Sequence, residues 1–539
     1  MFVKLYPQQF FRNLYRRSAM FKKLSLLFTF ILLLGLSSSP TFAADYYIDP
    51  VSGSDTSGDG SLGSPWESFA NIITYYTSSY RPSGWVDIQA GDTIYLMNGT
   101  HNTILHPGDY NNGPTGGGSQ IAYFRFEDGN SSNWIYIKAY PGHNPVIDPQ
   151  YNGKGINIYQ CEYWDVSGIE IRNAYSRGVV LGDSDHIKVY DLEIHDTNGR
   201  NDNNICGLEV KNTGDVEVYD CVFYDNYDRT GAQGHPANST GMVCFNGFNT
   251  NHGDVIVHDC LFYQTQPTSS ISGAGLKYKH ANQNPAAGFY VYNNTFRNNK
   301  YFGVASGTAN THVHHNLIDT GGSIRSKDEG GITHQNNQLF EYNTIYESKA
   351  FTCNPTTNYI NPDFPNDPNT IIYRNNIVYD TDTSYNSESG IVDVGCYMTD
   401  VLYYLTLPQL HFHKNCYYNP NRSAQFNIAA GFNYKPEYAE GGQYSLAQWQ
   451  SIYGYDMDSV ETDPLFIDAE GGDFRLQACS PCANMGVYAG DLDGDTVIGW
   501  GDLKVICDNW LQSGPEIEGD LDNDDDVNFD DLAEFGLLW

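Results

Sequence analysis

Val257-His-Asp-Cys-Leu-Phe262, Val291-Tyr-Asn-Asn-Thr-Phe296 and Val313-His-His-Asn-Leu-Ile318 are copies of one six-residue phrase. Each has an apolar residue at the first and sixth places and a thiol or amide at the fourth. Further copies begin at Val166, Val189, Val218, Phe340 and Ile372, so eight stand between residues 160 and 380. A unit with so few apolar side chains cannot bury a core alone and must stack on its neighbours, which makes the chain a solenoid. The period-two alternation within each copy makes the stacked elements strands.

Ahead of each copy lies a second strand opened by glycine, as in Gly207-Leu-Glu-Val and Gly275-Leu-Lys-Tyr. The opening glycines (Gly155, Gly178, Gly207, Gly241, Gly275, Gly303, Gly331) are 23 to 34 residues apart, which fits a coil of about 22 residues plus insertions. Insertions in a solenoid gather on one face, often the binding face, and the longest run through 225–239 and 280–287. The fourth place of the phrase reads Ile169, Leu192, Cys221, Cys260, Asn294, Asn316, Asn343, Asn375. In stacked coils this is an inward column that changes from apolar groups to thiols to amides, and stacked amides satisfy one another and the turn backbone.

Asparagine ladders of this kind resemble those of the right-handed parallel β-helix proteins of the pectate-lyase-like superfamily. The opening Tyr46-Tyr-Ile-Asp-Pro-Val-Ser-Gly-Ser-Asp55, then Pro65-Trp66, Trp134-Ile-Tyr-Ile-Lys-Ala-Tyr-Pro-Gly142 and Asp463-Pro-Leu-Phe466 are similar to that superfamily as well. The resemblance covers residues 45–489 and implies an all-β, right-handed parallel β-helix over 44–489. It does not imply one substrate, because this fold carries lyases, hydrolases, esterases and inert adhesins.

The first 43 residues are a secretory signal: six basic residues precede an apolar run, 24–36, and a small-residue cleavage context at Thr41-Phe-Ala43. The run is short and Pro40 follows it, so no membrane span is expected after its removal. The expected location is extracellular, free or attached to the cell surface. With 64 acidic against 29 basic residues the formal charge is −35, which excludes nucleic acid as a partner. Eleven scattered cysteines do not make a disulfide scaffold. Cys221 and Cys260, at one place of neighbouring coils, are expected as stacked buried thiols, and Cys479-Ser-Pro-Cys482 is spaced to close a small loop.

Two acidic loops 29 residues apart end the chain, within 490–539. Oxygen ligands at loop positions 1, 3, 5 and 12, with a carbonyl at 7, suit calcium. That assigns Asp491, Asp493, Asp495 and Asp502 to one Ca2+ and Asp520, Asp522, Asp524 and Asp531 to another, with carbonyls from Val497 and Asp526 and a water-bridged contact from Asn528. A helix is expected after each loop. The duplication resembles dockerins, which implies a cohesin-like or cell-surface partner. The glycine of position 6 is replaced by Thr496 and Asp525, and the partner-contacting positions carry Trp500-Gly501 and Phe529-Asp530 instead of small hydroxyl pairs.

Alternate residues of the glycine-opened strands face outward. One outward column reads Asn157, Val180, Glu209, Val243, Lys277, Ala305, Thr333, and the next Tyr159, Gly182, Lys211, Phe245, Lys279, Gly307, Gln335. Three lysines, a glutamate and an aromatic ring thus gather on the middle coils and suit an anionic sugar chain. Gly273-Ala-Gly-Leu-Lys-Tyr-Lys-His280 resembles the Gly-x-Gly-Phe-Lys segment of a pectate lyase family whose lysine is the base. The resemblance implies that Lys277 abstracts the proton α to a uronate carboxylate, with Lys279 and Arg325 as further catalytic candidates and Glu209, Lys211, Phe245 and His280 as substrate contacts. A neutral amine is required, favoured by burial and by nearby cations. That family holds calcium on an Asp-Asp cluster, but the preceding coil here, Ser239-Thr-Gly-Met-Val-Cys-Phe245, has none. Arg325, Lys327, or a calcium on Asp225, Asp228 and Glu209 are the substitutes.

Lysines on a β-face are also ordinary solvated side chains. Asp328-Glu329 or Glu209 offer a hydrolase reading, which needs two carboxyls about 6.5–9.5 Å apart. His312, His314 and His315, with no companion acid in the sequence around them, read as surface or ladder residues. The expected activity is a polysaccharide lyase acting on an acidic, pectate-like polymer. The alternatives are a glycoside hydrolase on the same fold and a non-catalytic carbohydrate-binding or cell-surface protein.

Overall fold

The computed structural model of the chain describes residues 43–106, 119–199, 205–228, 239–245, 252–265, 273–279, 286–327, 337–348, 351–354, 370–381, 391–394, 409–428, 442–477, 479–492, 498–513, 519, 521 and 526–538. The strands of successive coils pair in parallel to form three long faces. Among the described residues one face is a twelve-stranded sheet running from Gln120–Arg125 to Gly442–Tyr444, parallel except for its last pairing. Among the described residues the second and third faces join in a 22-stranded system, because Glu162–Arg172 and Asp185–His195 pass from one to the other without a break. This is a parallel β-helix.

The glycine-opened strands form the twelve-stranded face. Their inward column Ile156, Val179, Leu208, Met242, Leu276, Val304, Ile324 is in register and fully buried. Each such side chain is worth about 1.5–3 kcal/mol of burial. The glycines are dictated by close approach: a Cβ at Gly275 would lie 2.3 Å from the Gly303 carbonyl oxygen and 2.6 Å from the Phe296 ring. The seventh expected strand, at Gly331, lies outside the described residues. The strand that pairs with Val304–Ser306 is Ile324–Lys327, so Arg325 occupies the column place expected for Thr333.

The six-residue phrase turns the corner between the second and third faces. Its third residue adopts a left-handed conformation in coil after coil: Gly168, Asp191, Asp220, Asp259, Asn293, His315, Tyr342, Asn375 and Lys414, with φ from 50 to 73°. Its fourth residue then points inward. Asn294, Asn316 and Asn343 form the expected ladder, but the next rung is Asn376, and Asn375 sits at the corner. In that coil Tyr373, not Ile372, pairs with Phe340, so the phrase begins one residue later. The ladder extends through Asn415 to the Ser459 hydroxyl. Cys221 and Cys260 are buried free thiols above it, as expected. Cys482 pairs with Cys416, 66 residues away, and Cys479 remains a free, exposed thiol, which corrects the small-loop expectation.

Helix α1 (Leu446–Tyr453) closes the last coil. Ser445 and Gln448 form a capping box, and Trp449 is buried and stacks on Phe426 at 5.2 Å. Beside it burial pushes the Asp456 carboxyl up to about 6. The following segment covers the third face, where Phe474 packs with Leu317 and Tyr346. Helices α2 (Trp500–Asp508) and α3 (Phe529–Leu538) follow the two acidic loops. Among the described residues no helix is long and apolar enough to cross a membrane.

Burial holds the His315 imidazole down at about 4. A histidine depressed below its unfolded value near 6.5 contributes stability that is full above pH 6.5 and declines as pH falls toward 4. The slope is about 1.4 kcal/mol per pH unit at most. Asp456 acts in the opposite sense over the same range. We therefore expect the stability of wild type relative to His315→Asn, not either curve alone, to fall from pH 7 to pH 4.5.

Candidate active site

The strand Ala274–Lys279 directs Leu276 and Tyr278 into the core and Lys277 and Lys279 outward. Register aligns Asn157, Val180, Glu209, Val243, Lys277, Ala305 and Arg325 in one column. Outward does not mean solvated here. Lys277 is 1% exposed and Glu209 5%, so the reading of Lys277 as an ordinary surface lysine is wrong.

Lys277 and Arg325 lie two coils apart and converge on the ring of Phe302, which belongs to the coil between them. The Lys277 ammonium nitrogen is 5.8 Å from the ring centre and the Arg325 guanidinium carbon 5.3 Å, within cation–π reach. Arg325 Nε donates to the Ser323 hydroxyl at 2.8 Å, and a terminal guanidinium nitrogen donates to the Tyr301 carbonyl. Three contacts thus hold the arginine plane in place. Lys279 is half-buried in the neighbouring column, in register with Phe245 and through it with Lys211. Lys211 is exposed and reaches over the Phe245 ring, 5.7 Å from its centre.

Glu209 does not present a carboxylate to substrate. Arg177 Nε donates to its Oε2 at 2.6 Å, with both side chains largely buried. Asp225 accepts from the Thr265 amide and hydroxyl at 2.9 and 2.6 Å, so the trio Asp225, Asp228 and Glu209 is not assembled for calcium. Among the described residues no three acidic, histidine or cysteine side chains are grouped to hold a metal. His280, Asp328 and Glu329 lie outside the described residues, as does the Lys327 side chain.

Two participants were missed in the sequence. Phe302 stands immediately before Gly303 and Arg177 immediately before Gly178, so the residue preceding each opening glycine was the available signal. The histidines also differ from expectation. His312 has a companion acid, with its Nε2 2.7 Å from Glu341 Oε1, and Arg374 binds the other oxygen at 2.6 Å. His314 ends an outer stack with Tyr190, Tyr219, His258 and Tyr292, at ring spacings of 4.8 to 5.2 Å. The faces of Tyr292 are therefore covered by His258 and His314 and do not serve as a sugar platform.

In the C-terminal module Asp502 and Asp531 are fully buried and play matched parts. Asp502 accepts from the amides of Leu492 and Gly499, both at 2.6 Å; Asp531 accepts from those of Leu521 and Asn528 at 2.6 and 2.7 Å. In each loop position 12 thus ties positions 2 and 9 together. Asp491 is half-buried at the start of the first loop, whereas Asp493, Asp495, Asp520, Asp522 and Asp524 lie outside the described residues.

The family profile described as the right handed beta helix region matches residues 115–318. Pectate lyase L of Thermoclostridium stercorarium is 25% identical over 153 residues, which amounts to 26% of this chain and 11% of that relative's length. Among solved structures, pectate lyase Pel9A is similar with a TM-score of 0.45 and 14% identity, covering 84% of this chain and 93% of its own. The GH136 lacto-N-biosidase from Eubacterium ramulus has a TM-score of 0.35 and 14% identity over 70% of this chain and 64% of its own.

Proposed function

We propose that this chain is a secreted polysaccharide lyase that cleaves a uronate-containing polymer by β-elimination, with Lys277 as the base. One observation carries the reading: a buried lysine on an outward strand position converges with Arg325 on Phe302, on a face that also bears Lys211 and Lys279. The 153-residue likeness to a pectate lyase supports it.

Lys277 Nζ takes the proton from the carbon α to the uronate carboxylate. The freed electron pair forms the carbon–carbon double bond as the glycosidic oxygen on the next carbon leaves with its bonding pair and gains a proton from solvent. No water is consumed, and one product carries an unsaturated uronate. The base must be a neutral amine, and withdrawal from water disfavours the ammonium form. Negative charge grows on the carboxylate during proton removal, and Arg325 and Lys279 are the cations to meet it. Lys211 and Phe245 extend the same track for neighbouring sugars. An active-site calcium does not fit the described residues, and no step is assigned to one.

The acidic loops are proposed to hold two calcium ions through the ligands named above, for which the matched ties of Asp502 and Asp531 are the support. Bound calcium would fix the loop geometry. Chelation is expected to lower the melting temperature of the full chain. Unchanged melting, with no calcium uptake by titration calorimetry, would remove the assignment. A cohesin-like or cell-surface partner of this module is part of the same reading.

The test is ultraviolet absorbance of unsaturated uronate during incubation with a panel of acidic polysaccharides, beside a reducing-end assay. Absorbance growing with new ends supports the lyase. New ends without absorbance would replace it with a hydrolase, and retention on polymer without new ends would replace it with a binding protein.

A further inference from the structure

At the corner between the second and third faces, the left-handed column carries glycine, aspartate or asparagine except at His315, Tyr342 and Lys414. Those three types tolerate positive φ readily, whereas tyrosine and lysine are less suited to it. What surrounds His315 and Tyr342 is the C-terminal module. Tyr342, 4% exposed, belongs to the same apolar cluster as Ala489, Ile506, Leu521, Val527 and Phe535. His315 stacks on Tyr342 with ring centres 5.2 Å apart. Polar ties run alongside. The Val487 amide donates to the Thr344 hydroxyl at 3.0 Å, the Gly486 amide to the Asn375 carbonyl at 2.9 Å, and Asn484 Nδ2 to the Leu521 carbonyl at 2.8 Å.

We propose that this corner is a dedicated docking surface for the chain's own acidic-loop module. Tyr342 completes the module's core, and the module is a clamp on the solenoid, not a free arm. Both sides contribute to the surface. The solenoid places rings where its other coils carry residues suited to the turn, and the module supplies Ile506, Leu521, Val527 and Phe535 to the cluster that Tyr342 joins. Trp500 and Phe529 stay 76% and 73% exposed, so neither ring is buried by the docking. The proposal depends neither on the lyase reading nor on calcium in the loops.

Tyr342→Asn tests it in the full mature chain. Asparagine already occupies this column at Asn293 and Asn375, so the substitution relieves the backbone and leaves the solenoid able to fold. A turn residue with no further role would give equal or greater thermal stability. Docking predicts a lower melting temperature and at least ten-fold faster limited proteolysis between residues 484 and 513. Phe535→Ala probes the same contact from the module, and the double variant is expected to be cleaved no faster than the faster single variant, because both remove one interface. Unchanged cleavage in Tyr342→Asn, or rate increases that multiply in the double variant, would overturn the proposal. If Phe535→Ala does not fold, the cleavage rate of Tyr342→Asn decides alone.

Discussion

Lys277→Ala is expected to lower the rate of unsaturated-uronate formation by about 10²–10⁴-fold, or about 3–5 kcal/mol of barrier. The size follows from the role: a positioned general base contributes about 10²–10⁴-fold to the rate. Lys279, half-buried one strand position pair away, points from the neighbouring column. Its replacement by alanine should cost less, through weaker neutralisation of the carboxylate. Because Lys277 is buried beside Phe302, alanine also leaves a void, and a folding defect would imitate a chemical one. Lys277→Met keeps the length of the stem and removes only the amine. A Met variant that melts like wild type and forms no product identifies the base. A Met variant that retains most of the activity moves the chemistry away from this strand.

The second large effect is structural. Asn316→Leu is expected to destabilise the β-helix by about 3–5 kcal/mol, since each stranded buried polar group costs about 1–3 kcal/mol. Asn316 Oδ1 accepts from the backbone and side-chain nitrogens of Asn294, at 3.1 and 3.0 Å. Its Nδ2 donates to the carbonyls of Val291 and His314 and to Asn343 Oδ1, at 2.9, 2.8 and 3.0 Å. Leucine is close in volume and answers none of these groups. The column itself shows that the position is not intrinsically polar, because Ile169 and Leu192 occupy it in earlier coils. The penalty arises because the neighbours of Asn316 are amides that depend on it. Denaturant unfolding measures the loss, and a variant within 1 kcal/mol of wild type would mean that the ladder is not what holds these coils together.

The sequence alone determined the stacking of coils, the glycine-opened strand and the amide column, because those signals are local and repeat at short period. An inward thiol or amide one residue after a corner is decided by the backbone conformation of its own coil. Where two neighbours both suited a place, the local signal was one residue short of an answer. Asn375 and Asn376 are the case, and only the pairing of Tyr373 with Phe340 separates them. In the coil after Val304–Ser306 the sheet continues through Ile324–Lys327, so Arg325 takes the column place expected for Thr333.

Tertiary structure decided everything that depends on what lies over a side chain or on the next coil. Alternation says that Lys277 points outward and is silent on its 1% exposure. Arg177 reaches Glu209 across 32 residues, and Cys416 reaches Cys482 across 66. Tyr342 enters a cluster of residues from 489 to 535. In a solenoid each coil shows its own sequence which way its side chains face. Which partner arrives at that face is set by coil lengths and by the path of the chain beyond the last coil, and neither is written in the six-residue phrase.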